Sequence, residues 1–234
     1  MSAAPLASSD RARRQERARE QMRQRIADAA MQLVLDEGFE RTSIRRIAEA
    51  IGYTPGAIYS YFGDKDDILF ALHTEGFAKL RALLRTTDAD ALSPRERLVR
   101  VGELYLRFAF ENPHYYELMF IMASTGKKIE EQGEWLVGLD TYDFLRGIVR
   151  DCIDSGVLPA GNLEAATFAL WAPVHGLASL VICGRCPMIP DDALPAIVAE
   201  SYRWTIDAMT ASQRSRPPAR PGKRTRASEK TPRA

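Results

Sequence analysis

The chain has 234 residues, 46% of them hydrophobic and 27% charged, with a formal net charge of +1. That composition fits a soluble globular protein with a sizeable core and excludes a wholly disordered or collagenous chain, while three cysteines are too few for a disulfide framework. The near-neutral total conceals an uneven spread, because +4 over residues 1–25 and +7 over 213–234 leave −10 for the body, a pattern suited to local contact with a polyanion.

Apolar residues recur at helical spacing throughout, and nothing reads as alternating strands, so the expected fold is all-α. The N-terminal stretch MSAAPLASSD has no apolar h-region and is not expected to be a secretory signal. A first helix is predicted from about Arg19 to Glu37, with Ile26, Ala30, Leu33 and Val34 on one face and Gly38 as its stop. Thr42 or Ser43 caps a short second helix ending near Ala50 or Ile51, and Gly52 makes the turn. Thr54 with Pro55 at the first helical position starts a third helix of about two turns, ended by Phe62 and Gly63. Asp64 and Asp67, three apart, resemble a capping box at the head of a longer fourth helix through Leu69, Leu72, Phe77, Leu80 and Leu84.

Thr86 to Ser93 reads as a polar loop, after which Pro94 opens a helix to Asn112 and Pro113 opens an aromatic one, HYYELMFIM. Ser124 to Gln132 reads as a polar stretch, followed by a long helix carrying Trp135, Leu139, Phe144 and Ile148 to Gly156. Asn162 caps the next helix, and Pro190 with Asp191 opens the last. Residues 165–184 are apolar and about as long as the roughly 20 residues of a bilayer span. Thr167, His175, Ser179 and Pro173 favour a buried interface helix instead. Beyond Ala211 the chain is poor in apolar residues and expected to be disordered.

The window Ile44 to Phe62 has the steric pattern of a helix-turn-helix. Ile47 and Ile51 face inward, Ala48 permits a close crossing, Gly52 makes the turn, and Ile58 and Tyr61 point in from the second helix. Spacing alone leaves open three short helices that never touch DNA. The stretch IADAAMQLVLDEGFERTSIRRIAEAIGYTPGAIYSYFGDKDDILFAL goes further, since it resembles the N-terminal domain of TetR-family transcriptional regulators over about residues 22–80.

The resemblance implies which residues meet DNA. Arg45 matches a position that reaches a base edge, where arginine can fork onto guanine, and Arg46 is a neighbour facing phosphate. Thr42, Ser43, Thr54 and Ser60 fall within the same DNA-binding set. Pro55, Gly56 and Ala57 offer a nearly bare helix start for close approach to phosphate. Tyr59 and Tyr61 match recognition-helix aromatics, Tyr61 being shared with packing, and Lys65 matches a phosphate-contacting lysine. Read from the charges alone, Arg11 to Arg25 form either a minor-groove or phosphate arm or a solvated leader.

Residues 95–211 resemble a TetR-family effector domain with a Trp-His-Gly signature at Trp171, His175 and Gly176. Phe108, Tyr115, Tyr116, Phe120, Trp135, Phe144, Trp171 and His175 are the candidate ligand-binding residues, although any of these aromatics could equally be core, and a buried histidine is more often structural. The Cys183-Gly-Arg-Cys186 pair lacks the βαβ context of a redox motif. Only Cys152 and His175 are conceivable as further zinc ligands, so no metal or cofactor is assigned. No catalytic motif is found, and no enzymatic role is expected.

The expected organisation is therefore an N-terminal three-helix helix-turn-helix DNA-binding domain plus a C-terminal helical ligand-binding and dimerisation domain. Its segments are a disordered basic arm over 1–18, the helix-turn-helix over 19–80, the effector and dimerisation domain over 81–211 and a disordered basic tail over 212–234. The resemblance implies a cytoplasmic, ligand-responsive repressor, homodimeric through its last two helices, with a palindromic DNA operator and an apolar or aromatic small-molecule effector as partners.

Overall fold

A computed structural model describes residues 4–88, 91–132 and 135–211, and all regular structure within them is helical. The basic tail at 212–234 lies outside the described residues. Helix α1 spans Ala4–Glu37, so the expected disordered arm is instead a continuation of the first helix. Residues 10–25 consist mostly of Arg, Ala, Glu and Gln, all strong helix formers, with no Gly or Pro to break the run. The lack of apolar residues, which suggested disorder, sets only what the helix packs against, and residues 10–21 are exposed along their whole length.

Gly38 ends α1 at φ 86° and leads through a short 3₁₀ turn, Phe39–Arg41, into α2, Ile44–Ile51. Of the two candidate caps it is Ser43 that accepts the Arg46 amide, at 3.4 Å. Gly52 sits at φ 74° while the Tyr53 amide reaches back to the Ala48 carbonyl at 2.9 Å, a left-handed helix end that glycine adopts without strain. Helix α3 is only Pro55–Ile58, shorter than expected. Thr54 Oγ1 caps it from the Ala57 amide at 3.3 Å, and the chain then winds on to Phe62 through tighter turns in which Tyr61 N–H bonds the Ile58 carbonyl at 2.9 Å.

Helix α4, Lys65–Leu84, begins at the Asp64 cap, which accepts the Asp67 amide at 2.7 Å. Asp67 reaches back to the Gly63 amide at 2.9 Å, one residue before the position a capping box uses. The first half of α4 buries Ile68, Leu69 and Leu72 against Ile26, Ala30 and Val34 of α1, Ile47 of α2 and Ile58 of α3. Its second half buries Phe77, Leu80 and Leu84 in a separate, larger core. One helix thus runs through both halves of the protein.

Part of the expected polar loop is a 3₁₀ turn, Arg85–Asp88, in which Thr87 is buried. Helix α5, Pro94–Glu111, starts at a full capping box between Ser93 and Glu96. The aromatic helix is two pieces, α6 at Pro113–Tyr116 and a π-helical turn at Glu117–Ile121. The polar stretch after it is helical, as α7, Ala123–Gln132, because its lysines and glutamates are good helix formers and Lys127 pairs with Glu131 one turn on at 3.5 Å.

Helix α8, Leu136–Asp154, begins after Trp135, and α9, Leu163–Ile182, is capped by Asn162, which accepts the Ala165 amide at 3.0 Å. Helix α10, Leu194–Ala211, starts later than expected, because the Pro190 carbonyl first accepts the Ala193 and Leu194 amides in a turn. It crosses α5 where Gly102 leaves room for the Tyr202 ring, whose hydroxyl donates to the Leu98 carbonyl at 2.9 Å.

Candidate functional site

The helix-turn-helix is built by burying one side of two short helices and leaving the other bare. Ile47, Ala48 and Ile58 are fully buried, which fixes α2 and α3 on α1 and α4. On the opposite side the Arg45 side chain is 81% exposed and paired with Glu49 of its own helix at 2.9 Å. Tyr59 is 56% exposed, and Ser43, Thr54, Pro55, Gly56 and Ser60 are exposed with it, while Ala57 is half-buried. Tyr53, at the turn before α3, is exposed as well, and the sequence reading missed it. Its signal was an aromatic directly after the turn glycine.

Besides Arg45 and the capping side chains of Ser43 and Thr54, four more residues of the expected DNA-binding set are engaged by the protein. Thr42 is buried and donates its hydroxyl to the Gly38 carbonyl at 3.1 Å, so its side chain serves the turn between α1 and α2. Arg46 forks onto both carboxylate oxygens of Glu37, closing the end of α1 onto α2. Tyr61 is half-buried, and its carbonyl accepts from Arg23. Lys65 donates to the Phe39 carbonyl at 3.3 Å.

In the C-terminal half, α4, α5, α8, α9 and α10 enclose an apolar cavity of ≈ 120 Å³. Phe77, Leu80 and Leu84 reach it from α4, Tyr105 from α5, Tyr142 from α8, Leu170 and Trp171 from α9 and Tyr202 from α10; none of the described lining residues is charged. Three hydroxyls at its wall already have partners within the protein. Tyr202 bonds the Leu98 carbonyl, Thr141 the Val137 carbonyl at 2.9 Å, and Tyr105 the His175 ring at 2.9 Å. A molecule held here meets hydrocarbon and aromatic surface, with no free charge to satisfy.

Of the eight expected ligand contacts, Phe120, Trp135 and Trp171 line the cavity. His175 and Tyr116 lie outside its lining. His175 Nδ1 lies 2.9 Å from the hydroxyls of both Tyr105 and Tyr116, and the Tyr116 hydroxyl is also 2.9 Å from Ser179 Oγ, so these groups form one hydrogen-bonded cluster. Burial holds the imidazole below its ordinary pKa and both phenols above theirs, which favours the uncharged form of each. Phe108 is plain core. Phe144 lies under the guanidinium groups of Arg81, at 4.4 Å, and Arg97, at 5.5 Å. Tyr115 is at the junction of the halves, donating to Glu75 at 2.8 Å.

That junction carries other ties. Leu118, from the π-helical turn, is fully buried in the core of the N-terminal half. Lys128 of α7 donates to Asp67 at 2.8 Å and to Asp64 at 3.3 Å, which holds the Asp67 carboxyl below its usual range and raises the lysine. Trp135 bridges cavity and junction, its ring edge-on to Phe77 at 5.3 Å and its N–H toward His73 at 3.4 Å.

Two further regions stand apart. Helix α9 is long and apolar enough to cross a membrane by length and composition, with mean hydropathy 1.6. Its Phe168 and Leu180, together with Ile197 and Trp204 of α10, are exposed, Trp204 at 74%. Cys183 is exposed, whereas Cys152 is buried, bonded to the Pro94 carbonyl at 3.2 Å and pushed up to about 11 by burial. Among the described residues no three of His, Cys, Asp and Glu come together as a metal site.

Residues 26–72 match the family model described as bacterial regulatory proteins, tetR family, and residues 98–209 match that of a tetracyclin repressor-like C-terminal domain. The chain is 30% identical over 163 residues to the HTH-type transcriptional regulator AcrR of Shigella flexneri, covering 64% of this chain and 72% of that protein. It is 31% identical over 107 residues to the HTH-type transcriptional repressor AcnR of Corynebacterium glutamicum, covering 46% of this chain and 50% of that one. Among solved structures, the fatty acid degradation regulator FadR from Bacillus halodurans superposes with a TM-score of 0.63 at 19% identity, over 79% of this chain and 94% of that one. A regulator of the TetR/AcrR family from Thermobifida fusca gives 0.61 at 21% identity, over 80% and 97%. At these identities the structural likeness is one of fold.

Proposed function

The chain belongs to the TetR family of bacterial regulatory proteins and is a DNA-binding transcriptional regulator, and from that premise we propose that it is a homodimeric, cytoplasmic repressor released from a palindromic operator by an uncharged apolar molecule. The observation that carries the reading is the contrast within the helix-turn-helix, where Arg45 and Tyr59 stand exposed on elements whose opposite side is completely buried. Arg45 and Tyr59 read bases, with Ser43, Tyr53, Thr54 and Ser60 around them for backbone contact. Lys65 adds charge to the phosphates from the head of α4. Arg46 and Tyr61 hold the reading helices in place.

The repressor sense is supported by the likeness to AcnR. The dimer forms through α9 and α10, whose exposed Phe168, Leu180, Ile197 and Trp204 need a second apolar surface. The core of the DNA-binding unit ends within α4 at Leu72, and from Phe77 onward the helix belongs to the C-terminal core. A ligand in the cavity touches Phe77, Leu80 and Leu84 of that helix and shifts it relative to α1. About 1 to 3 kcal/mol of coupling between the two sites is enough for regulation.

The test is a binding titration on duplexes recovered by the full-length protein from its own genome. Arg45→Ala and Tyr59→Ala each lower affinity for the recovered site by about tenfold or more while leaving random duplex unchanged, at the roughly 1–3 kcal/mol a good base contact carries. Equal affinity of the unaltered protein for recovered and random DNA would overturn the reading.

A further inference from the structure

We propose that the exposed N-terminal half of α1 is a second DNA-contacting surface, a rod of arginines that follows the phosphates flanking the half-site; this rests on the operator-binding reading above. Residues 10–21 are exposed, and among the described residues no carboxylate is ion-paired with any of the seven arginines between 11 and 25. The charges along this helix are sorted by face. At about 100° per residue, Arg11, Arg14 and Arg25 fall within roughly 60° of one another, and Arg19 and Arg23 widen the same arc without any acidic residue entering it. Asp10, Glu16 and Glu20 all fall on the other side, with Arg13 and Arg17. One face is thus purely basic and the other near neutral.

The basic face is anchored to the reading domain by its own members. The Arg25 guanidinium lies 5.8 Å over the ring of Tyr53, at the turn before α3, and Arg23 lies 4.0 Å over Phe62 while donating to the Tyr61 carbonyl. From there the rod runs outward to Arg11, about 21 Å at 1.5 Å per residue. That is roughly six base-pair steps of 3.4 Å. Arginine on a regular polyanion binds without reading sequence. An anionic membrane surface fits less well, because such a helix needs a bulky apolar face and this arc offers only Ala12, Ala18 and Met22.

The experiment compares the full-length protein with Arg11→Gln/Arg14→Gln/Arg19→Gln and with Arg13→Gln/Arg17→Gln from the opposite face. Arg23 and Arg25 stay, since both pack on the domain. The probes are a duplex selected by the unaltered protein from a random pool, the same duplex trimmed to its half-sites, and random DNA. The triple variant is expected to lose about tenfold or more on the selected duplex and on random DNA alike. Its plot of log affinity against log salt should flatten by about 0.9 per lost phosphate contact, up to about 5 for a dimer. The loss should vanish on the trimmed duplex, and lysine at the same three positions should retain the slope. An unchanged slope, or an equal loss from Arg13→Gln/Arg17→Gln, overturns the proposal. Arg45→Ala, run alongside, separates the readings: if it abolishes sequence preference while the triple variant behaves as the unaltered protein, the arm alone is wrong.

Discussion

Leu118 is the residue through which the effector half most directly supports the DNA-binding half. It belongs by sequence to the segment after α6, yet it is 0% exposed within a core whose other buried residues all lie between 26 and 72. The wide π-helical turn brings it there, and Thr125 satisfies the carbonyl of Leu118 with its hydroxyl at 2.8 Å. Leu118→Ala removes three carbons from a site with no route for solvent to refill, which costs about 2 to 5 kcal/mol in comparable cores. At roughly 2–4 °C per kcal/mol for a chain of this size, the melting temperature should fall by roughly 5 to 15 °C. Leu136→Ala is the control, because Leu136 is 67% exposed and its loss should stay within about 0.5 kcal/mol. Thermal and urea unfolding of the full chain give the size of the effect, and hydrogen exchange gives its place. Protection should drop over residues 26–72, away from the site of substitution in sequence. A loss below about 1 kcal/mol, or one confined to residues 98–209, refutes the reasoning.

Gly138→Ala places a Cβ inside the indole of Trp135, so the ring must leave Phe77. With Trp171→Phe and Trp204→Phe as background, Trp135 emission should move to longer wavelength, at an overpacking cost of about 1 to 3 kcal/mol in urea titration. His73 is buried with a pKa of about 4, pushed down by desolvation, so the folded state stays neutral where the unfolded chain takes up a proton. Its contribution is full above about pH 6.5 and is lost as pH falls toward 4, on the order of 3 kcal/mol, and His73→Phe should remove that part of the pH slope in unfolding experiments. Lys128→Met frees Asp64 and Asp67 from α7. The ratio of specific to random DNA affinity should fall about threefold or more in binding titrations, and Lys128→Arg should restore it.

The N-terminal half was readable because its boundaries are set by local chemistry. Ser43, Thr54 and Asp64 cap the helices they precede, and Gly52 takes a conformation that most other residues resist, so each signal acts within a few residues of where it is written. Arg45 and Tyr59 followed from the family pattern and stand exposed. The readings that changed depend on partners distant in sequence. Thr42 looked free until Gly38 folded back beneath it, and Arg46 until Glu37 arrived from the end of α1. His175 was a plausible ligand contact from its apolar helix. What it lacked on paper was Tyr105 and Tyr116, which lie 70 and 59 residues away and occupy its nitrogen. Aromatic content pointed to the C-terminal half as a whole but did not separate Phe120 and Trp171, on the cavity wall, from Phe108 in the core behind. Both kinds of position select for the same side chains, and only the crossing of α5, α8 and α9 decides which of them face empty space. The N-terminal arm shows the reverse case, since a helix without an apolar face still forms when its residues favour it, and its exposed Arg11, Arg14 and Arg19, with no ion pair among the described residues, then point to a partner outside the chain.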